Sequence, residues 1–114
     1  MALPTVDVFV EGRLTKALVD TGCSKTIVTS RLTGFGGGRS SVVAVDGSRV
    51  HCLGQAMVSL VVVGKTLRVG CIVTERLLDD VDMILGMDVI ERLGGVIVRG
   101  RKVRFFCGTE KMTA

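Results

Sequence analysis

The chain has 114 residues, 47% of them apolar, with no Trp or Tyr and a net charge of +4. That is room for one domain and one core, expected to span 1–114 with its core at about 5–106. The longest strongly apolar stretch, Ala56 to Val63, falls far short of the ~20 residues a spanning helix needs, so no membrane partner is expected.

Val is abundant, and β-branched residues favour strands. Val6, Val8 and Val10 alternate with Asp7, Phe9 and Glu11, the period of a strand. Glu11-Gly12 reads as a turn, and Leu14 to Val19 returns as a second strand that delivers Asp20. Thr26 to Val28 reads as a short strand and Ser30 to Leu32 as a helical turn. The Gly34 to Ser41 stretch reads as a connector, because it lacks the Gly-Lys-Ser/Thr that a phosphate-binding loop needs. Asp46-Gly47-Ser48 between Val42–Val45 and Arg49-Val50 is a strong hairpin signal. Its plain reading is a surface hairpin and its functional one a flap over a cleft. Met57 to Val63 and Thr66 to Val73 form a further hairpin around Gly64-Lys65. Met83 to Leu85 is a short strand stopped by Gly86. A helix follows over Asp88 to Leu93, with Asp88 as its cap and Gly94-Gly95 as its stop. Val96–Val98 and Val103–Phe106 make a last hairpin around Gly100. The expected class is all-β with a single short C-terminal helix.

Four cysteines stand at 23, 52, 71 and 107. No stretch reads as a signal peptide, no CxxC pair suggests structural zinc, and the spacings match no small disulfide framework. Free, mostly buried thiols in a reducing compartment are expected, with the chain not secreted. His51 and Cys52 are adjacent in a strand and point to opposite faces, which argues against their acting as a base and nucleophile. The positive residues are scattered, which argues against a nucleic-acid partner. The densest group, Arg99, Arg101, Lys102 and Arg104, reads as the solvated turn and outer face of a hairpin. A weak electrostatic contact with RNA or an acidic partner is the alternative.

The feature that points furthest is Asp20-Thr21-Gly22, after the apolar Ala17-Leu18-Val19 and before Cys23-Ser24. A carboxylate at the end of a buried strand is costly unless it is hydrogen-bonded or used. Thr and Gly permit a tight turn that supplies the donors. The triplet, the central Asp-Gly hairpin and Ile84-Leu85-Gly86-Met87-Asp88 follow one another in an order that resembles the retroviral-type aspartic proteases, the retropepsins. The resemblance is greatest to the proteases of long-terminal-repeat retrotransposons and their domesticated relatives.

The resemblance implies a retropepsin-like acid protease fold, active as a symmetric homodimer that processes a polyprotein in the cytoplasm or within virus-like particles. Asp20 matches the catalytic aspartate, Thr21 the residue whose hydroxyl grips the opposite subunit, and Gly22 the glycine that lets the loop approach substrate. Ile84, Leu85 and Gly86 match the segment that braces this loop and lines part of the cleft. Val45, Asp46, Gly47 and Ser48 fall where the family has its flap tip. The partner implied is an extended polypeptide, with no metal and no cofactor. Cys23 and Ser24 stand where viral enzymes usually carry Ala and an acidic residue, and the Val96 to Phe106 segment is longer than the usual terminal strand. A catalytically silent dimerisation or binding module on the same fold is the alternative.

Overall fold

The computed structural model describes residues 4–34, 41–45, 48–77, 81–100 and 102–106; for 41–45 and 48–51 it describes the backbone alone. The chain opens with a hairpin of β1 (Thr5–Val10) and β2 (Arg13–Val19), turning at Glu11-Gly12. Val8 and Val10 are buried while Asp7 and Phe9 face outward, as the period of two requires. Then come β3 (Ile27–Thr29), the one-turn helix α1 (Ser30–Thr33), β4 (Ser41–Val45), β5 (Ser48–Val62) and β6 (Lys65–Thr74). The chain continues through β7 (Met83–Leu85), α2 (Met87–Arg92), β8 (Val96–Arg99) and β9 (Lys102–Phe105). The protein is therefore mostly β, with two short helical pieces where the residue pattern gave one helix and one helical turn.

Seven strands form one sheet in the order β1-β2-β7-β3-β6-β5-β4. Phe9 and Val10 of β1 also pair with Val61 and Leu60 of β5, which closes the sheet into a barrel. Strand β7 lies between β2, to which it is parallel, and β3, to which it is antiparallel. This placement brings the end of β2 and the segment after β7 to the same end of the barrel.

Strand β5 is one 15-residue strand, although its sequence reads as two. The register slips between Cys52 and Gly54, and Gly54 has a φ of 155° that side-chain-bearing residues rarely adopt. This bulge bends the strand, so its first part pairs with β4 and its second with β6. Val45 pairs with Ser48 at the far end of the β4–β5 hairpin, and the expected turn residues Asp46 and Gly47 lie outside the described residues.

The main core gathers Val8, Val10, Val58, Leu60, Met83, Leu85, Ile90 and Leu93 from both barrel walls and α2. A smaller cluster of Leu18, Cys23, Ile27, Leu77 and Ile84 lies on the other side of β7. Strands β8 and β9 form a separate two-stranded sheet. Val96, Val103 and Phe105 of this hairpin pack on the main core. No described helix is long and apolar enough to cross a membrane.

Candidate active site

Asp20 follows the last residue of β2, where its N–H donates to the Leu85 carbonyl of β7 at 3.1 Å. The chain then turns sharply, and the Cys23 N–H donates back to the Asp20 carbonyl at 3.2 Å. Inside this turn the Gly22 N–H donates to Asp20 Oδ1 at 2.9 Å. The other carboxylate oxygen, Oδ2, is enclosed by protein, whereas Thr21 and Gly22 are exposed at the tip. A main-chain donor fixes the carboxylate rotamer. Cys23 is buried behind the loop, and its thiol donates to the Lys25 carbonyl.

The loop rests on the segment that follows β7. The Met87 N–H donates to the Cys23 carbonyl at 2.7 Å, and the Asp88 N–H to the Ser24 carbonyl at 3.2 Å. Between them Gly86 presses against the loop backbone. A Cβ on residue 86 would stand 2.6 Å from the Lys25 carbonyl carbon and 2.8 Å from the Cys23 oxygen, closer than such atoms come. Gly86 is needed here for lack of a side chain, since its φ of −95° is open to any residue.

Thr26 and Asp88 complete the support. Thr26 is fully buried, its hydroxyl donates to Asp88 Oδ1 at 2.7 Å, and its N–H donates to Asp88 Oδ2 at 3.2 Å. The Gly86 N–H donates to the Thr26 hydroxyl oxygen at 3.1 Å. Asp88 also receives the Val89 N–H at 2.8 Å. Asp88 is thus not the helix cap expected from its place in the sequence. The cap position belongs to Gly86, and Asp88 in the first turn spends its oxygens on Thr26. Neither the contact nor the part played by Thr26 has a local signal, because the two residues are distant along the chain. Asp88 also acts on Cys71: burial first, and then the nearby Asp88 charge, push this thiol up to about 12, with Lys25 opposing.

The alternation along β7 separates Ile84 from Leu85. Ile84 belongs to the smaller cluster, on the side of Leu18 and Cys23, whereas Leu85 is fully buried in the main core. Leu85 therefore sits in the core and not at a cleft wall, because period-two geometry turns it away from Ile84. Its carbonyl still braces Asp20. Val45 and Ser48 are placed by backbone at the end of the β4–β5 hairpin. Among the described residues no three His, Cys, Asp or Glu side chains gather as a metal site would require.

No protein-family model matches the chain, and no curated protein does. Solved structures match it by shape. The chain superposes on the EIAV protease complexed with the inhibitor HBY-793, with a TM-score of 0.65 and 21% identity over 86% of this chain and 94% of that one. It superposes on the retroviral protease-like domain of Ddi1 from Leishmania major with a TM-score of 0.66 and 20% identity, over 92% of this chain and 89% of that domain. With its closed barrel, β7 between β2 and β3, and the Asp20 loop braced from Gly86, the chain has the retropepsin-like fold of the retroviral-type aspartic proteases.

Proposed function

We propose that the chain is one half of a homodimeric aspartic endopeptidase. The observation that carries this reading is the Asp20 carboxylate, pinned by the Gly22 N–H at the tip of a loop and present once per chain. Peptide hydrolysis of this type needs two carboxylates, so a second protomer must supply the other Asp20. Exposed Thr21 and Gly22 at the loop tip are free to meet their counterparts across a two-fold axis.

Two carboxylates held that close cannot both ionise, so the pair keeps one proton over a wide pH range. The ionised Asp20 takes a proton from a bound water while the protonated one donates to the scissile carbonyl oxygen. Water oxygen attacks the carbonyl carbon, and the tetrahedral intermediate collapses with proton transfer to the leaving nitrogen. The Gly22 N–H holds each carboxylate in place through these steps. Substrate lies extended, paired as an added strand with the β4–β5 hairpin acting as a flap. Closure of the flap excludes water and strengthens the local electrostatics. Ile84 lies on the Asp20-loop side of β7, in the smaller buried cluster, and is the β7 residue on the side where substrate side chains would pack. Maturation of a longer polyprotein is the natural task for such an enzyme.

A catalytically silent dimerisation or binding module is the second reading. It is favoured by the equal likeness of the chain to a protease-like domain and to a protease. Incubation of a mixed peptide library at mildly acidic pH with wild type and with Asp20→Asn separates the two. Cleavage by wild type alone supports the endopeptidase. No cleavage by a folded, dimeric wild type establishes the binding module.

A further inference from the structure

The β8–β9 hairpin carries a feature that peptide hydrolysis does not use. Register pairs Ile97 with Arg104 and Arg99 with Lys102, and cross-strand partners share a face. The four side chains therefore stand together on the outer face, while Val96, Val103 and Phe105 take the inner one against the core. All four outer residues are exposed, Ile97 at 43%, and they line an open groove of about 630 Å³ together with Val103. The hairpin sets these members of the densest positive group in the sequence on one face.

This arrangement is costly to the domain alone. Arg99 and Lys102 are like charges directly opposite one another, which destabilises a strand pair. None of the three cations forms an ion pair with a described residue, the one such pair being Arg31 with Asp82. A local rule broken without internal compensation marks a surface that an outside group completes. Two of the three cations are guanidinium groups, whose planar forks suit phosphate oxygens. The residues that line the groove include no aromatic side chain on which a base could stack or that could anchor in a lipid interface, the exposed Phe106 lying past the end of β9.

We infer that the outer face of the β8–β9 hairpin, through Arg99, Lys102 and Arg104, binds the phosphodiester backbone of nucleic acid without reading its bases. In the sequence this densest positive group reads as a solvated hairpin face, with contact to RNA or an acidic partner as the alternative, and strand register, by setting three of the cations on one face, favours that alternative. The surface lies on a different sheet from β2, the strand that delivers Asp20.

The test is fluorescence polarisation of a labelled oligouridylate of about 20 nucleotides, titrated with the full chain. Three phosphate contacts give a log–log salt slope of about −2, so affinity falls roughly 20-fold when salt rises from about 50 to about 200 mM. Oligoadenylate binds within about twofold of oligouridylate, because bases are not read. The triple variant Arg99→Gln, Lys102→Gln, Arg104→Gln loses at least about tenfold in affinity, with its melting temperature not lowered. The control Lys65→Gln, Arg68→Gln, exposed on β6, stays within about twofold of wild type. Failure of wild type to bind at low salt, a flat salt dependence, or an unchanged triple variant overturns the inference. So does equal or tighter binding to polyglutamate of matched length or to phosphatidylserine vesicles, which would assign the face to an acidic protein or a membrane.

Discussion

Asp88 reaches back along the chain to take both the hydroxyl and the N–H of Thr26, at 2.7 and 3.2 Å. One side chain thereby ties the first turn of α2 to the start of β3, directly beneath the Asp20 loop. The pair is part-buried and its polar groups have few substitutes, so removal of either partner leaves the other unsatisfied. Asp88→Ala and Thr26→Val are each expected to cost about 2 kcal/mol in urea unfolding. The double variant costs less than their sum, by about 1 kcal/mol, because both remove the same contact. Strictly additive losses would show that the two residues act separately.

Gly86→Ala forces a methyl group into the backbone at Lys25 and Cys23. Backbone cannot swing aside as a side chain does, so the loop or α2 must shift. A loss of about 3 kcal/mol is expected, at the upper end for overpacking. Proteolysis, if present in wild type, should fall further than stability does. A denaturation midpoint equal to wild type would contradict this account of the close approach.

Half-sites give a distinctive mixing behaviour. Asp20→Asn keeps an oxygen able to accept the Gly22 N–H, so the chain should fold and associate as wild type does. Each mixed dimer then carries one ionisable carboxylate and no dyad. Titrating Asp20→Asn into a fixed amount of wild type should lower the cleavage rate progressively, to about half when equal amounts exchange freely at saturation of the dimer. A rate unaffected by the variant would mean that each chain acts alone.

Cys71 gives a prediction in alkaline solution. Its thiol is held near 12 in the folded protein by burial and by Asp88, against an ordinary value of 9.0. The folded state therefore keeps its proton while the unfolded chain loses it. The stability that Cys71 contributes is whole below about pH 9 and is lost as pH rises from there toward 12. Denaturation midpoints should fall across that window, and less so in Cys71→Ala. At pH 8 a thiolate-specific reagent should modify half-buried Cys52 long before Cys71, the thiolate being the reactive form. Equal labelling rates in the folded protein would refute the assignment.

Local patterns reveal much of this molecule. Alternation of Val with polar residues locates β1, and Glu11-Gly12 marks its turn. Asp20-Thr21-Gly22 with Ile84-Leu85-Gly86 points to a fold that the superpositions support. What stays hidden depends on partners distant in sequence. Asp88 looks like a helix cap because capping is a local role, and only the fold brings Thr26 within reach. Leu85 and Ile84 are alike in sequence, yet β7 turns one to the core and the other to the opposite side. Cys52 to Gly54 reads as an interruption between strands, although the register slips there while the strand continues. The cations of β8 and β9 are neighbours in sequence, but only strand pairing shows that Arg99, Lys102 and Arg104 share a face.

Strand β7 has a consequence for how the protein is made. β2 and β3 flank the Asp20 loop but are joined in the sheet only through Met83–Leu85. During synthesis the carboxylate leaves the ribosome more than sixty residues before those that brace it, Leu85, Gly86 and Asp88. A nascent chain ending before β7 holds Asp20 on a loop without the Leu85 carbonyl, the Gly86 contact or the Asp88 anchor. The order of residues thus acts as a timer that withholds an arranged carboxylate from neighbouring polypeptide until the barrel is nearly whole.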